Sequence, residues 1–327
     1  MQPAAAPAPA AAPAAAAEQR LAISPRARAL VNKSAISAAA IRGTGPGGRI
    51  VEKDVAAYLA ASNYDQLRVS PAAKTLAIQQ GVDVLTVRGT GQNGRLMVRD
   101  IERALAERPK PMNRMRQVIS QRLTHSFTTT PHFFVTVGID MTALMAYRKE
   151  LKAKGAEYTV TDFIIEAVIL SLQEFPIVNS VTDGRAVRWN SGVHLGMAVS
   201  LDDGLVVPVI RSAEDLTMPE LHETVAALAG KARQGKLLPD EMTGSTFTVS
   251  NMGMMDVENF MAIINPGEGA ILAVSSTKDT PVVVDGKIEI RAVMKITASV
   301  DHRIIDGAVA ARFVNAIKAK LQDVELW

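Results

Sequence analysis

Of the side chains able to move a proton, His302 stands in the most telling run: Asp301-His-Arg-Ile-Ile-Asp-Gly307 sets an imidazole among two carboxylates and an arginine. Three roles fit these residue types. A neutral imidazole that titrates near working pH suits a general base. Asp301, His302 and Asp306 together offer an oxygen-rich metal set, and the same residues could simply cap a helix or close a salt bridge. A metal reading needs converging ligands; no second histidine stands near His302, and no metal site is expected. Ser250 is a second candidate, ending the alternating stretch Thr246-Phe-Thr-Val-Ser250 just before Asn251-Met-Gly253. The 327-residue chain has no cysteine, which removes disulfides, thiolate metal sites and a cysteine nucleophile.

Both candidates lie where strands end, positions that are rigidly held yet accessible. Lys295-Ile-Thr-Ala-Ser-Val300 alternates as a strand up to Asp301, and a helix is expected beyond Gly307. Upstream, the pattern predicts a helix over 116–126, a strand over 133–140, and helices over 141–154 and 161–175, the last stopped by Pro176. Strands follow over 195–200 and 205–210, broken by the turn Asp202-Asp-Gly204, then a helix over about 218–234. The alternation argues for an α/β or α+β domain over 112–327. No run reaches the roughly 18 apolar residues of a membrane span, and the start has neither the basic leader nor the apolar core of a signal peptide. An intracellular location is expected: cytoplasmic in a bacterium, the mitochondrial matrix in a eukaryote.

Residues 1–20 open on a run of alanine and proline with nothing to bury, which predicts a disordered, semi-rigid linker and implies a module ahead of it. An internal repeat follows. Ser24-Pro-Arg-Ala-Arg-Ala-Leu, Arg42-Gly-Thr-Gly-Pro-Gly-Gly-Arg49 and Asp54 recur 46 positions later as Ser70-Pro-Ala-Ala-Lys-Thr-Leu, Arg88-Gly-Thr-Gly-Gln-Asn-Gly-Arg95 and Asp100. Two small helical domains, over 21–61 and 67–107, are expected in tandem, each with a Ser-Pro helix start and an aspartate heading its second helix. Both loops match Gly-x-Gly-x-x-Gly, but a dinucleotide fingerprint needs a buried strand before it, which these lack; the glycines are expected to supply positive-φ positions. Residues 18–110 hold 15 Lys and Arg against 8 Asp and Glu, within a chain of net charge +3. With only Tyr58 and Tyr64 as aromatic rings there, an acidic protein partner is expected and nucleic acid is not.

The repeated pattern Ser-Pro-x-x-Arg/Lys, Gly-Thr-Gly-x-x-Gly-Arg, Asp resembles the peripheral subunit-binding domain of the dihydrolipoamide acyltransferases, the E2 components of 2-oxo acid dehydrogenase complexes. The resemblance implies a module that grips the E1 decarboxylase or the E3 dihydrolipoamide dehydrogenase through arginines meeting acidic residues. Carried over, the partner-binding positions are Arg28 and Arg49 in the first copy, Lys74 and Arg95 in the second. A further basic position of the family is Asn32 in one copy and Ile78 in the other. Lysine cannot make the bidentate fork of arginine, so the second copy is expected to bind weakly or differently.

Asp-His-Arg-Ile-Ile-Asp-Gly likewise resembles the terminal motif of that family's catalytic domain, shared in looser form with chloramphenicol acetyltransferases. Met115-Arg-Gln-Val-Ile-Ser-Gln-Arg-Leu123, Thr130-Pro-His-Phe-Phe-Val-Thr136, Gly204-Leu-Val-Val-Pro-Val-Ile210, Gly244-Ser-Thr-Phe-Thr-Val-Ser-Asn-Met-Gly253 and Ala262-Ile-Ile-Asn-Pro266 support it in order. The resemblance implies a chloramphenicol-acetyltransferase-like fold with His302 as base toward a coenzyme A or dihydrolipoamide thiol. It gives Ser250 the role of oxyanion donor; as a nucleophile Ser250 lacks a Gly-x-Ser-x-Gly elbow. Asp306 either orients the imidazole or braces the loop by pairing with an arginine, for which Arg122 is the candidate. The family's trimers build a hollow cage in which Ser250 and His302 would face each other across a subunit boundary. The lipoyl group is expected from a lipoyl domain outside this sequence. Glu166 stands where many members have lysine, and Pro266-Gly-Glu268 replaces the more usual Pro-Pro. The segments 250–266 look closer to pyruvate-complex acetyltransferases than to succinyl enzymes, with a succinyl or branched-chain acyltransferase as the alternative. The other reading, a non-catalytic E3-binding scaffold, is disfavoured by the retention of His302 and Ser250.

Overall fold

The computed structural model describes residues 22–201 and 204–327, so the expected linker over 1–20 and part of the turn at 202–204 lie outside the described residues. The described residues form two compact units, divided between Pro111 and Met112.

In the first unit each copy of the repeat builds two helices: α1 (Pro25–Ser34) and α2 (Glu52–Ala61), then α3 (Pro71–Gln80) and α4 (Val98–Ala106). The Ser24 and Ser70 hydroxyls accept from the Ala27 and Ala73 amides, with proline in the first turn. Asp54 is buried and accepts from the Thr44 amide, the Thr44 hydroxyl and the Val51 amide; Asp100 repeats this with Thr90 and Met97. These carboxylates fold the glycine loop onto the second helix, an internal role. Gly48 takes the expected positive φ, 75°, but Gly43 serves another purpose: a Cβ there would stand 2.2 Å from the Gly48 carbonyl oxygen. One apolar core draws on both copies, including Val31, Ile36, Ile41 and Val55 with Ala77, Val84, Leu96 and Ile101. The Val84 amide donates to the Ala35 carbonyl, the Ser37 amide to Asp83, and the Tyr64 hydroxyl to the Ser34 carbonyl.

The second unit opens with α5 (Arg114–Thr129), β1 (His132–Asp140), α6 (Thr142–Ala153) and α7 (Val160–Glu174). A two-stranded ribbon, β2 (Ser180–Thr182) with β3 (Val187–Trp189), precedes β4 (Leu195–Leu201), β5 (Gly204–Val206), β6 (Val209–Ile210) and α8 (Met218–Arg233). Then come β7 (Phe247–Asn251), β8 (Ala270–Val274), β9 (Lys278–Val284), β10 (Lys287–Asp301) and α9 (Gly307–Gln322). The main sheet runs β1-β10-β8-β7-β4-β5, with β6 also on β4 and β9 also on β10. β7 is parallel to both neighbours and the other pairings are antiparallel.

Alternation along the strands sorts residues between two faces. Val135, Val249, Leu272, Ile296 and Ala298 join Phe163 of α7, Leu221 of α8 and Phe313 of α9 in the core. The opposite face carries Thr136, Thr248, Ser250, Thr297 and Ser299. Two elements differ from the pattern reading. The strand expected over 205–210 is interrupted at Pro208, which has no amide to donate. β10 begins eight residues before the expected strand: its first half pairs with β9, and Ile288 and Ile290 are over 70% exposed there, so core-directed alternation gave no signal. Among the described residues no helix is long and apolar enough to cross a membrane.

Candidate active site

β10 delivers the His302 turn. Asp301, 2% exposed, receives the Arg303 amide and both ends of its guanidinium: Nε at 2.9 Å and Nη2 at 2.6 Å. Hydrogen bonding to Asp301 pushes the Arg303 pKa up, keeping it charged. The Ile304 and Ile305 amides return to the Asp301 carbonyl, and the His302 amide donates to the Pro131 carbonyl at the mouth of β1. The His302 side chain is exposed, its ring standing edge-on to Phe133. Asp306 is the N-cap of α9, its Oδ1 accepting from the Val309 amide at 2.8 Å.

The expected Arg122–Asp306 pair is not formed within the chain. Among the described residues no ion pair or hydrogen bond joins the two within the chain; Asp306 is engaged by its own helix, and the charge of Arg122 acts on Glu268. The arginine that ties this turn is Arg303, through Asp301.

Ser250 lies on β7 between Val249, which faces the core, and Asn251, which accepts from the Gly253 amide and donates to Thr161. Its side of the sheet is a field of hydroxyls. Thr136 and Thr297 hydrogen-bond each other at 2.7 Å, and Thr297 meets Asn259 at 2.7 Å. Glu268, 4% exposed, accepts from Ser245, Thr248 and Asn265. Burial pushes its carboxyl pKa up, against the lowering effect of those bonds and of Arg122. Glu268 Oε2, Ser275 Oγ and Ser299 Oγ are buried with no hydrogen-bond partner among the described residues.

The structure does not bring Ser250 and His302 together in one chain. Ser250 pairs with Ala273, which pairs with Thr297, and His302 lies five residues further along β10. Two strand spacings and five residue rises separate the Cα atoms by roughly 19 Å. A residue beyond the sequence-derived set contributes to the region: His132 Nδ1 lies 2.8 Å from the Thr130 carbonyl while Nε2 accepts from the Ile264 amide at 3.1 Å. Both bonds require the Nδ1–H tautomer, and they tie the 252–269 loop to β1. Only its place beside Pro131 hinted at this. No cluster of three metal-ligating side chains occurs among the described residues.

In the first unit Arg28, Arg49 and Arg95 are exposed, whereas Lys74 is half-buried with its ammonium 5.8 Å from the Tyr64 ring centroid.

Comparison with known proteins gives two family matches. Residues 105–327 match the 2-oxoacid dehydrogenases acyltransferase (catalytic domain), and residues 22–56 and 67–102 each match the E3 binding domain. The dihydrolipoyllysine-residue acetyltransferase component of the acetoin cleaving system of Bacillus subtilis (strain 168) is 37% identical over 311 residues, 94% of this chain and 70% of that protein. The corresponding mitochondrial component of the pyruvate dehydrogenase complex of Schizosaccharomyces pombe is 36% identical, covering 93% and 61%. The chain thus spans between 61% and 70% of these curated relatives. A crystal structure of Azotobacter vinelandii dihydrolipoamide acetyltransferase, concerned with the role of a serine, a histidine and an asparagine in its catalytic mechanism, is 37% identical with TM-score 0.63, covering 66% of this chain and 92% of that one. The cubic core of a pyruvate dehydrogenase multienzyme complex superposes with the same TM-score, 0.63.

Proposed function

The chain belongs to the 2-oxoacid dehydrogenase acyltransferases, and from that premise we propose that it transfers an acetyl group between coenzyme A and a dihydrolipoamide thiol. One observation carries the residue assignment. Ser250, His302 and Asp306 stand 52 and 4 positions apart, the separations of the serine, histidine and asparagine studied in the Azotobacter enzyme.

In this reading His302 takes the proton of the attacking thiol, the sulfur bonds to the thioester carbonyl carbon, and His302 returns the proton to the departing thiolate as the old carbon–sulfur bond breaks. Ser250 donates a hydrogen bond to the tetrahedral oxyanion, a contribution of about 3–4 kcal/mol at the transition state. Both thiols are substrates, the lipoyl one borne on a lipoyl domain. Asp306 acts as a brace: asparagine caps a helix as well as aspartate but carries no charge to steer an imidazole, and the Azotobacter enzyme has asparagine at this separation. Since the sheet register holds Ser250 and His302 apart, the working site joins Ser250 of one copy to His302 of another within a trimer-based cage. The two repeat modules dock the E3 dihydrolipoamide dehydrogenase or the E1 decarboxylase. The location that follows is the bacterial cytoplasm or the mitochondrial matrix.

The test is thiol release from acetyl-CoA with dihydrolipoamide, set beside succinyl- and isobutyryl-CoA. Acetyl-CoA is expected to be the best donor and His302→Ala to abolish the reaction. A wild-type protein inactive with every donor at every pH would return the chain to a scaffold role.

A further inference from the structure

We propose that the tandem modules are unequal: the first copy alone docks an acidic protein partner, and the second is the platform that holds it. This rests on the reading of the first unit as a partner-binding module. The repeat supplies its own control, because equivalent positions 46 residues apart share one backbone design and can be compared directly.

The helices that open the two copies differ in charge. α1 carries Arg26, Arg28 and Lys33 with no acidic residue, while α3 carries Lys74 alone. Arg28 is exposed at a shallow cleft lined by Ile23, Pro25, Ala29 and Asn32, and Arg26 borders a neighbouring one beside Val51 and Lys53. These forks stand ready for carboxylates. At the position of Arg28 the second copy has Lys74, folded over the Tyr64 ring, and the Tyr64 hydroxyl is bonded to the Ser34 carbonyl of the first copy. The cation that would meet a partner is therefore drawn toward the seam between the copies.

The second helix of each copy repeats the contrast. Arg99 donates to the Thr90 hydroxyl at 2.8 Å and the Thr90 carbonyl at 3.1 Å; Arg103 donates to the Arg88 carbonyl and lies 3.6 Å from Asp100. Both guanidiniums are turned onto their own glycine loop. The first copy has an exposed Lys53 and Ala57 at those positions. The second copy meanwhile gives the Asp83 carboxylate and the Val84 amide to the backbone of the first. Of the basic positions carried over from the family, Arg95 alone in the second copy stays exposed, without a companion fork on α3. A surface of paired carboxylates thus finds two exposed arginine forks on the opening helix, Arg26 and Arg28, in the first copy and none on the opening helix of the second.

The experiment titrates the full-length chain, wild type and variants, with dihydrolipoamide dehydrogenase in a calorimeter and maps the saturated complex by amide hydrogen exchange. One class of site is expected, with new protection in residues 25–34 and 42–50 and none in 71–80 or 88–96. Arg28→Glu and Arg49→Glu are each expected to weaken binding by more than about tenfold, and Lys74→Glu and Arg95→Glu by less than about twofold. Unchanged exchange in the shared core of free Arg28→Glu shows that the variant is folded, and Arg28→Lys, which keeps the charge without the fork, is expected to fall between. Two equivalent sites per chain, or losses as large from Lys74→Glu as from Arg28→Glu, overturn the asymmetry while leaving the docking role intact. Absence of any binding by the wild type overturns the docking role itself, and the asymmetry with it.

Discussion

Phe133 stands edge-on to the His302 imidazole, ring centroids 4.8 Å apart and planes at 88°. Its ring has room to do so because residue 307 is glycine: a Cβ there would lie 3.1 Å from Phe133 Cε1. The motif glycine thus bears on the imidazole through an aromatic ring that sits 169 positions before His302 in the chain. Gly307→Ala is expected to press that ring toward the imidazole and lower kcat by about threefold to tenfold with little change in KM. Steady-state kinetics decide it, and an unchanged kcat would show that the Phe133 contact does not position His302.

The roughly 19 Å between Ser250 and His302 along the sheet yields a test that activity of single variants cannot provide. His302→Ala is expected to lower kcat by about 10² to 10⁴, and Ser250→Ala by about 10² to 10³. Subunits of the two variants, unfolded and reassembled as an equal mixture, are expected to regain about a quarter of wild-type activity if each site in a cyclic trimer takes one residue from each neighbour. A mixture no more active than its parents would place both groups in a single chain.

Asp306 caps α9, so Asp306→Ala is expected to cost about 1 kcal/mol of stability, measured by denaturant unfolding. Asp306→Asn retains the cap and should cost much less. Under both changes the midpoint of the pH–rate profile stays in place. A midpoint displaced by Asp306→Asn would identify the carboxylate as the group that steers the imidazole.

The first unit has an acid limit set by Asp100. Amide bonds from Met97 and Thr90 hold its carboxyl down to about 2, from an ordinary 3.8. A depressed folded-state pKa adds stability above the unfolded value, and that stability is lost as pH falls from about 3.8 toward 2. Pepsin, which works in this range, is expected to cut within 88–106 increasingly as pH descends through that window. Asp100→Asn should flatten the dependence, and a wild type equally resistant at both ends of the window would remove Asp100 from the account.

Much of the site is legible in sequence because its parts are local. The Asp301–Gly307 run, the β7 strand ending near Ser250 and the 46-residue repeat each occupy short stretches whose periodicity or spacing is their signature. What is not legible depends on distant pairing. The arginine of the His302 turn is such a case, since both Asp301 and Asp306 could accept an arginine and only the fold brings Arg303 round to Asp301 in a fork. The separation of Ser250 from His302 follows from the register of β7, β8 and β10, which no local pattern encodes. Glu268 reads as an odd substitution in a glycine-rich loop until Ser245, Thr248 and Asn265 are seen to converge on it.

The common core of the repeat has an evolutionary consequence. A duplicated module that stayed separate could be lost again at no cost beyond its own function. Here Ile36 and Val84, one from each copy, are buried in the same cluster, and Asp83 of the second copy is bonded to the Ser37 amide of the first. Deleting either half would strip apolar surface bare on the survivor. Such a seam acts as a ratchet: either copy can change in surface charge, yet neither can be discarded without exposing the other.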